Sequence, residues 1–344
     1  MKRQVKIFFE DYGRKFDLTE ETILKVLDRE YDVCIDPDPD YLFFSDGGYK
    51  HLKYHNCIKI FYTGENTVPD FNLCDYALAH PHLQYGDRYL RTPYYLFSPE
   101  TGKINDYPTN AEQVLNRKFC NFLSSAGWAD PFRAAFFKKL SEYKPIDSGG
   151  NYLNNIGRRV SDKMAFIKEY KFSIAFENSS LSGYTTEKIV EAMAANSQPV
   201  YWGNPDVSLD FNKESFVCVN DFDTPEAAIA EIIRLDNDDE AYLRKLSAPR
   251  CTGANFSKWE EQLFLFLKNI FDQPLNQAKR TTDYGFMYTR KRDMEALRWL
   301  FGGKNTSKAV RKLLRLSMMC TPEHRTSTSG SKTFLLSLLR KKNL

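Results

Sequence analysis

Short apolar runs recur along the chain, each closed by a polar turn, and several are followed by a stretch with apolar residues three and four positions apart. Residues 5–9, 31–35, 41–44, 57–62 and 76–79 have the length and the β-branched or aromatic content of buried strands. Between the first two, Asp17, Leu18, Thr19 and Glu20 read as a capping box for a helix over 17–29 with Ile23, Leu24 and Leu27 on its apolar face. The prolines of Asp36-Pro37-Asp38-Pro39 forbid helix there. Segment 98–113 is polar and carries Pro99, Gly102 and Pro108, which marks a connection between domains. The alternation then resumes, with strands expected at 118–123, 172–176, 200–202 and 216–219. Helices are expected at 132–143, 187–195, 225–235 (Ala227, Ile229, Ile232 and Ile233 inward), 241–246 and 256–271. Strand and helix in alternation predict an α/β chain whose first domain, 1–105, is Rossmann-like, with a second domain over 106–275 and a tail at 276–344.

Local signals agree best over 170–205, YKFSIAFENSSLSGYTTEKIVEAMAANSQPVYWGNP. A buried strand ends on Glu177 and Asn178, a Ser- and Gly-containing turn follows, and Thr185 and Thr186 can cap a helix beginning near Glu187. That helix stops at Asn196, Ser197 and Pro199, and a second short strand follows. A strand, helix, strand unit of this kind brings both strand C-termini to one edge, where open α/β sheets bind ligands. Glu177, Asn178, Tyr184, Glu187 and Lys188 all fall at that edge. Free N–H groups at a helix start, with Lys188 beside them, would stabilise an anion such as a nucleotide diphosphate. A solvated loop with a surface lysine is the plainer alternative.

Composition narrows the class. The 344 residues are 42% apolar and 27% charged, ordinary values for a folded chain with room for two cores. Seven scattered cysteines without a Cys-x-x-Cys pair read as reduced thiols, and His80-Pro81-His82 offers too few ligands for a zinc site. Charge is uneven: residues 290–344 hold 14 Lys or Arg against 3 Asp or Glu, so the remainder is acidic. Within 294–319, Leu297, Leu300, Val310, Leu313 and Leu314 alternate with Arg298, Lys308, Arg311, Lys312 and Arg315, and 334–339 is a second apolar piece ending in Arg340-Lys341-Lys342. This basic amphipathic pattern suits a membrane surface, with a helical hairpin packed on the body as the alternative. Nucleic acid is not expected, since no nucleic-acid fold accompanies the charge. No apolar run reaches the ~20 residues of a spanning helix, and the N-terminus is too strand-like for a signal peptide.

Several separated blocks carry a resemblance. FEN at 176–178, GYTTEKI at 183–189, PVYWGNP at 199–205, DFN at 210–212, and earlier FYTGEN at 61–66, PDFNLCDYALA at 69–79 and DRYLRTPYY at 87–95 resemble the α1,3-fucosyltransferases, the bacterial members in particular. The match runs over roughly 57–260, is strongest over 170–216 and is faint in the first fifty residues. It implies a GT-B fold, two Rossmann-like domains facing each other across a cleft, and inverting transfer of L-fucose from GDP-fucose to O3 of GlcNAc or Glc in an N-acetyllactosamine- or lactose-type acceptor, giving Lewis-type glycans.

The resemblance also implies roles. Glu65, at the end of a strand, would be the general base. Arg133, in the block before an aromatic-containing helix and the downstream DSGG at 147–150, would contact the pyrophosphate, with Lys188 as a second cation. Tyr184 and Glu187 would hold the sugar, and Glu177 and Asn178 complete the donor set. No metal ligand is assigned: the D-x-D spacing at 36–40 lies in a proline-rich turn, so no cofactor is expected, with loose Mn²⁺ stimulation left open. A cytoplasmic bacterial enzyme at the inner-membrane surface is the implied location. The competing readings are a glycan or sugar-nucleotide binding protein without turnover and a transferase using another GDP-sugar.

Overall fold

The computed structural model of the chain describes residues 2–12, 18–251, 258–282, 284–287, 289, 290 and 293. The proposed cap Asp17 and the amphipathic tail segments 294–319 and 334–339 lie outside these residues. Contacts group residues 1–283 into one compact unit.

In its first part, β1 (Arg3–Glu10), α1 (Leu18–Leu27), β2 (Tyr31–Ile35), β3 (Tyr41–Phe44), β4 (Ile58–Tyr62), β5 (Tyr76–Ala79) and β6 (Tyr89–Arg91) build a six-stranded sheet in the order β2-β1-β3-β4-β5-β6. Every pairing is parallel. Parallel sheets are covered on both faces, which is why YLFF, IKIFY and YALA are buried at every position. Successive residues still alternate between the faces. Phe43, Ile58, Ile60, Tyr62 and Leu78 join one cluster, and Leu42, Phe44, Phe61 and Ala77 join the opposite one.

The second part contains α2 (Ala111–Leu115), β7 (Lys118–Phe122), α3 (Phe132–Leu140), β8 (Ile146–Ser148), α4 (Lys163–Ile167), β9 (Tyr170–Phe176), α5 (Glu187–Ala194), β10 (Gln198–Trp202), β11 (Val217–Cys218), α6 (Pro225–Asn237) and α7 (Asp239–Leu246). Its five strands are parallel, in the order β11-β10-β9-β7-β8. The helix α8 (Trp259–Phe271) then returns to the first sheet, as expected of a GT-B chain. Leu263, Phe264, Leu267, Ile270 and Phe271 bury against Val5, Ile7 and Tyr41, and Phe271 stacks on Tyr41 at 3.9 Å between ring centroids. After α9 (Leu275–Ala278), the fully buried Asp75 accepts from the backbone N–H groups of Arg280 and Thr281, each at 2.7 Å, and so fixes the chain leaving α8.

Differences from the sequence reading have local causes. Strands β6 and β8 were not anticipated because each has three residues at a sheet edge and includes a charged one, so no apolar period is visible. The short helices α2 and α4 start at Asn110 and Asp162, whose side chains accept from the N–H groups of Gln113 and Ala165. On α6 the buried face is Ala228, Ile229, Ile232 and Leu235, the stripe that three-and-four spacing makes continuous, with Ala227 exposed and Ile233 half-buried.

The two sheets are fastened together at several points. Arg91, closing β6, forms a two-pronged ion pair with Asp210 at 2.9 and 2.7 Å and donates from Nε to the His80 carbonyl at 3.0 Å. Both side chains are largely buried, so losing one partner would leave a desolvated charge, a cost of about 3–5 kcal/mol. Asn66 also donates to the Ser179 hydroxyl across the same boundary. The DRYLR and DFN blocks are thus structural fasteners of the cleft.

Candidate active site

In each sheet the strand order reverses once, between β1 and β3 in the first and between β7 and β9 in the second. Ligands of open α/β sheets bind beyond the strand C-termini at such reversals. A single cleft of about 1000 Å³ lies there, lined from the first half by Tyr12, Asp46 and Glu65 and from the second by Ser124, Arg133 and Asn178, among others. Tyr184, Glu187 and Lys188 line it as well, so six of the anticipated side chains meet in one space although they span residues 65–188.

Arg133 sits in the first turn of α3, yet it is 2% exposed. It reaches back under the sheet edge, donating to Asn178 Oδ1 at 2.9 Å and to Ser124 Oγ at 2.6 Å, so it ties together the loops after β9 and β7. Its guanidinium also stands 5.7 Å from the Phe122 ring. Among the described residues it has no ion pair, and its Nε has no hydrogen-bond partner. Burial draws its pKa below the ordinary arginine value, which the nearby Glu177 charge partly offsets. A buried cation held only by neutral oxygens is short of an anion, and a diphosphate would supply one.

Around α5 the arrangement differs from the expectation in one respect. Glu177 does not face the cleft. It is fully buried, and its carboxylate accepts from the N–H and hydroxyl of Thr186, both at 2.7 Å, and from Lys188 Nζ at 2.9 Å. The helix N-terminus is therefore capped by Glu177, and Thr186 contributes no side-chain cap of its own. Burial disfavours the Lys188 charge, but the carboxylates of Glu177 and Glu187 outweigh it and raise the Lys188 pKa. Glu187 is held low, at about 2: burial opposes ionisation and is overcome by Lys188 and Lys163. Its neighbour Glu191, which pairs with Lys163, is driven upward by burial.

Tyr184 is positioned by glycine and asparagine. Gly183 has φ of +82°, and a Cβ there would come within 2.4 Å of the His80 carbonyl oxygen, so only glycine allows the two halves to approach. The fully buried Asn204, from the GNP block, accepts from the Gly183 N–H at 2.8 Å and donates to Thr185 Oγ1 at 3.0 Å. The Tyr184 ring then meets His80 edge-on at 5.0 Å. Burial and the Arg91 charge depress His80 to about 3, so the imidazole is neutral.

Glu65 projects from the turn after β4 and is exposed to the cleft. Partial burial and the Asp46 carboxylate raise its pKa above the ordinary carboxylate value, against the opposing effects of Lys188 and a hydrogen bond from Asn178. The arrangement can remove a proton on one side of the cleft and receive negative charge on the other. Sequence reasoning did not single out Asp46, Ser124, Arg159, Lys163 or Glu191, all of which line the cleft. The only signal for Ser124 was the nearby DSGG block: a Cβ on Gly150 would lie 2.0 Å from the Ser124 carbonyl oxygen.

Among the described residues no group of three or more His, Cys, Asp or Glu is placed to hold a metal ion, no helix is long and apolar enough to cross a membrane, and the six described cysteines are free.

Comparison with known proteins gives consistent findings. A model of the alpha-(1,3)-fucosyltransferase FucT N-terminal domain matches residues 7–98, and one of the glycosyltransferase family 10 (fucosyltransferase) C-terminal region matches residues 115–266. The chain is 35% identical to the alpha-(1,3)-fucosyltransferase FucT of Helicobacter pylori over 260 residues, 64% of this chain and 54% of that one. It superposes on a crystal structure of an alpha1,3-fucosyltransferase with a TM-score of 0.69 at 29% identity, covering 79% of this chain and 91% of the other. A structure of an alpha1,3-fucosyltransferase with GDP-fucose gives 0.67 at 28% identity, covering 79% and 92%. The chain spans about half, or less, of the length of the curated relatives it matches.

Proposed function

The chain belongs to glycosyltransferase family 10, the fucosyltransferases, and on that premise we propose that it transfers L-fucose from GDP-fucose to O3 of GlcNAc or Glc in a Galβ1,4-GlcNAc-type acceptor, with inversion at C1 and Lewis-type products. The observation that carries this reading is the pairing of opposites in one cleft: a carboxylate of raised pKa from the first sheet and a buried guanidinium without an ion pair from the second. GDP-fucose in a related crystal structure supports the donor.

In the proposed reaction the diphosphate lies against Arg133, with Lys188 beside it and Tyr184 and Glu187 against the sugar. The acceptor hydroxyl gives its proton to Glu65 as its oxygen bonds to C1 of fucose. The C1–O bond to the phosphate breaks, and its electron pair leaves on GDP. Glu65 serves because a base with its pKa raised toward the working pH takes the proton more readily. Arg133 and Lys188 serve because fixed cations in a dry site stabilise the charge growing on the leaving group. Asn178 orients the guanidinium, and Glu177 orients the lysine from behind.

These cations take the part a divalent ion plays elsewhere, so transfer proceeds without a metal. Mixing the purified chain with GDP-fucose and N-acetyllactosamine should release GDP only when acceptor is present, at the same rate with EDTA. Acceptor-independent release, or no release while GDP-fucose is bound, would refute the assignment. The basic amphipathic tail we read as a contact with an anionic membrane surface, peripheral on the cytoplasmic side. The full chain should co-sediment with phosphatidylglycerol vesicles and a chain ending at Asp283 should not; equal partitioning would discard the anchor.

A further inference from the structure

One acidic side chain holds both ends of the turn that carries Glu65. Asp46 lies two residues beyond β3, exposed at the cleft wall, in the sheet position beside β4. Its Oδ2 accepts from the Thr63 hydroxyl at 3.0 Å and from the Thr67 hydroxyl at 2.6 Å. Thr63 is fully buried at the end of β4, and its Oγ1 in turn accepts the Glu65 backbone N–H at 2.9 Å. The Thr67 N–H closes the turn on the Glu65 carbonyl at 2.8 Å. One carboxylate in the loop after the neighbouring strand β3 therefore sets where the Glu65 backbone sits, through threonines on either side of it.

We propose that Asp46 is the positioning residue of the base: its carboxylate clamps the Thr63–Thr67 turn through both threonine hydroxyls and sets a negative charge beside Glu65. The inference rests on Glu65 being the base. The charge is the same one that raises Glu65, after burial, above the ordinary carboxylate range. Other groups facing Glu65 are Lys188 and Glu187 from α5, Tyr184 from the turn before α5, Asn178 beyond β9 and His80 beyond β5. Lys188 pulls the opposite way, Glu187 the same way as Asp46, and His80 is neutral at working pH. Asp46 is the charged neighbour from the same sheet as Glu65, and it is bonded to the turn itself.

The hydroxyls matter for a physical reason. A neutral asparagine in place of Asp46 can still accept hydrogen bonds, but it cannot repel the Glu65 charge; valines in place of the two threonines do the reverse. Geometry and charge are thus separable in two variants of the full chain, each assayed for kcat/KM against pH with GDP-fucose and N-acetyllactosamine. In Asp46→Asn the acidic limb should move to lower pH and the plateau should fall about threefold, as a weaker base takes the proton less readily. In Thr63→Val/Thr67→Val the limb should stay while kcat falls about tenfold or more through misplacement of the base. GDP-fucose affinity should change less than about twofold in both, since Arg133 and the α5 N-terminus are untouched. An Asp46→Asn enzyme with limb and plateau unmoved, beside an inactive Glu65→Gln enzyme, would overturn the role of Asp46 alone. An active Glu65→Gln enzyme would overturn it together with the base.

Discussion

Glu65→Gln should lose transfer by about a thousandfold in kcat, the scale of a missing general base, while GDP-fucose still binds within about threefold of the parent affinity. Glutamine keeps the size of the side chain and a carbonyl oxygen that can still accept the hydrogen bond from Asn178, so the cleft wall survives the change. It cannot take a proton. The parent enzyme should also lose activity on the acid side. Because the Glu65 pKa is raised, the proton-accepting form is complete only above that raised value, so kcat/KM should rise with pH through a limb lying above the ordinary carboxylate range. Single-turnover GDP release and equilibrium donor binding, measured on the same two proteins, separate the chemistry from the binding. Full turnover in the variant would remove Glu65 from the mechanism. Loss of donor binding along with turnover would make it a donor contact instead. A protein that binds sugar nucleotides without turnover predicts no difference between the two.

Lys188→Met should do two things at once, and a second substitution should separate them. Glu177 has no exposed side-chain surface, and Lys188 is its only ion-pair partner among the described residues. Removing the lysine leaves a buried carboxylate with only the Thr186 donors, a destabilisation of about 3–5 kcal/mol. It also removes a cation from beside the leaving diphosphate, a loss of about a hundredfold to a thousandfold in kcat. Lys188→Met/Glu177→Gln should regain most of the lost stability, because a neutral amide no longer needs a counter-charge, and none of the lost transfer. Thermal unfolding and initial rates on the single and double variants decide the matter. A single variant melting with the parent would show that Glu177 is not held by Lys188. The raised Lys188 pKa fixes the sign of the pH dependence. The contribution of the Lys188 charge is complete below the ordinary lysine value of 10.5 and is lost as pH rises through the higher folded value, so raising the pH from neutrality toward about 10 should not cost it.

The two predictions depend on different layers of information. The place of Glu65 could be read from the chain, because a strand of apolar residues running into Thr63-Gly64-Glu65 is a local pattern and a strand C-terminus of an α/β sheet faces the ligand edge, while its role as base came from the family resemblance. The partnership of Glu177 and Lys188 could not be. Both residues stand at the same turn, and either could equally have faced solvent, ligand or each other.

From the residues alone, the α/β class, the two-part order and the β9-α5-β10 unit were legible. Each follows from short-range periodicity, from Gly, Pro and Asn at turns, and from the near-continuous apolar runs that only a doubly covered parallel sheet requires. Side-chain roles were decided by contacts between residues far apart in the sequence. Arg133 became a buried strut through Ser124 and Asn178, nine and 45 residues away, and Arg91 became a fastener through Asp210, 119 residues away. Asp46 entered the site through Thr63 and Thr67, which follow a strand that is its neighbour only in the sheet. Periodicity states which face of an element is apolar. It carries no information about which polar group on a distant element will stand opposite, and that opposition sets charge, burial and hence chemistry.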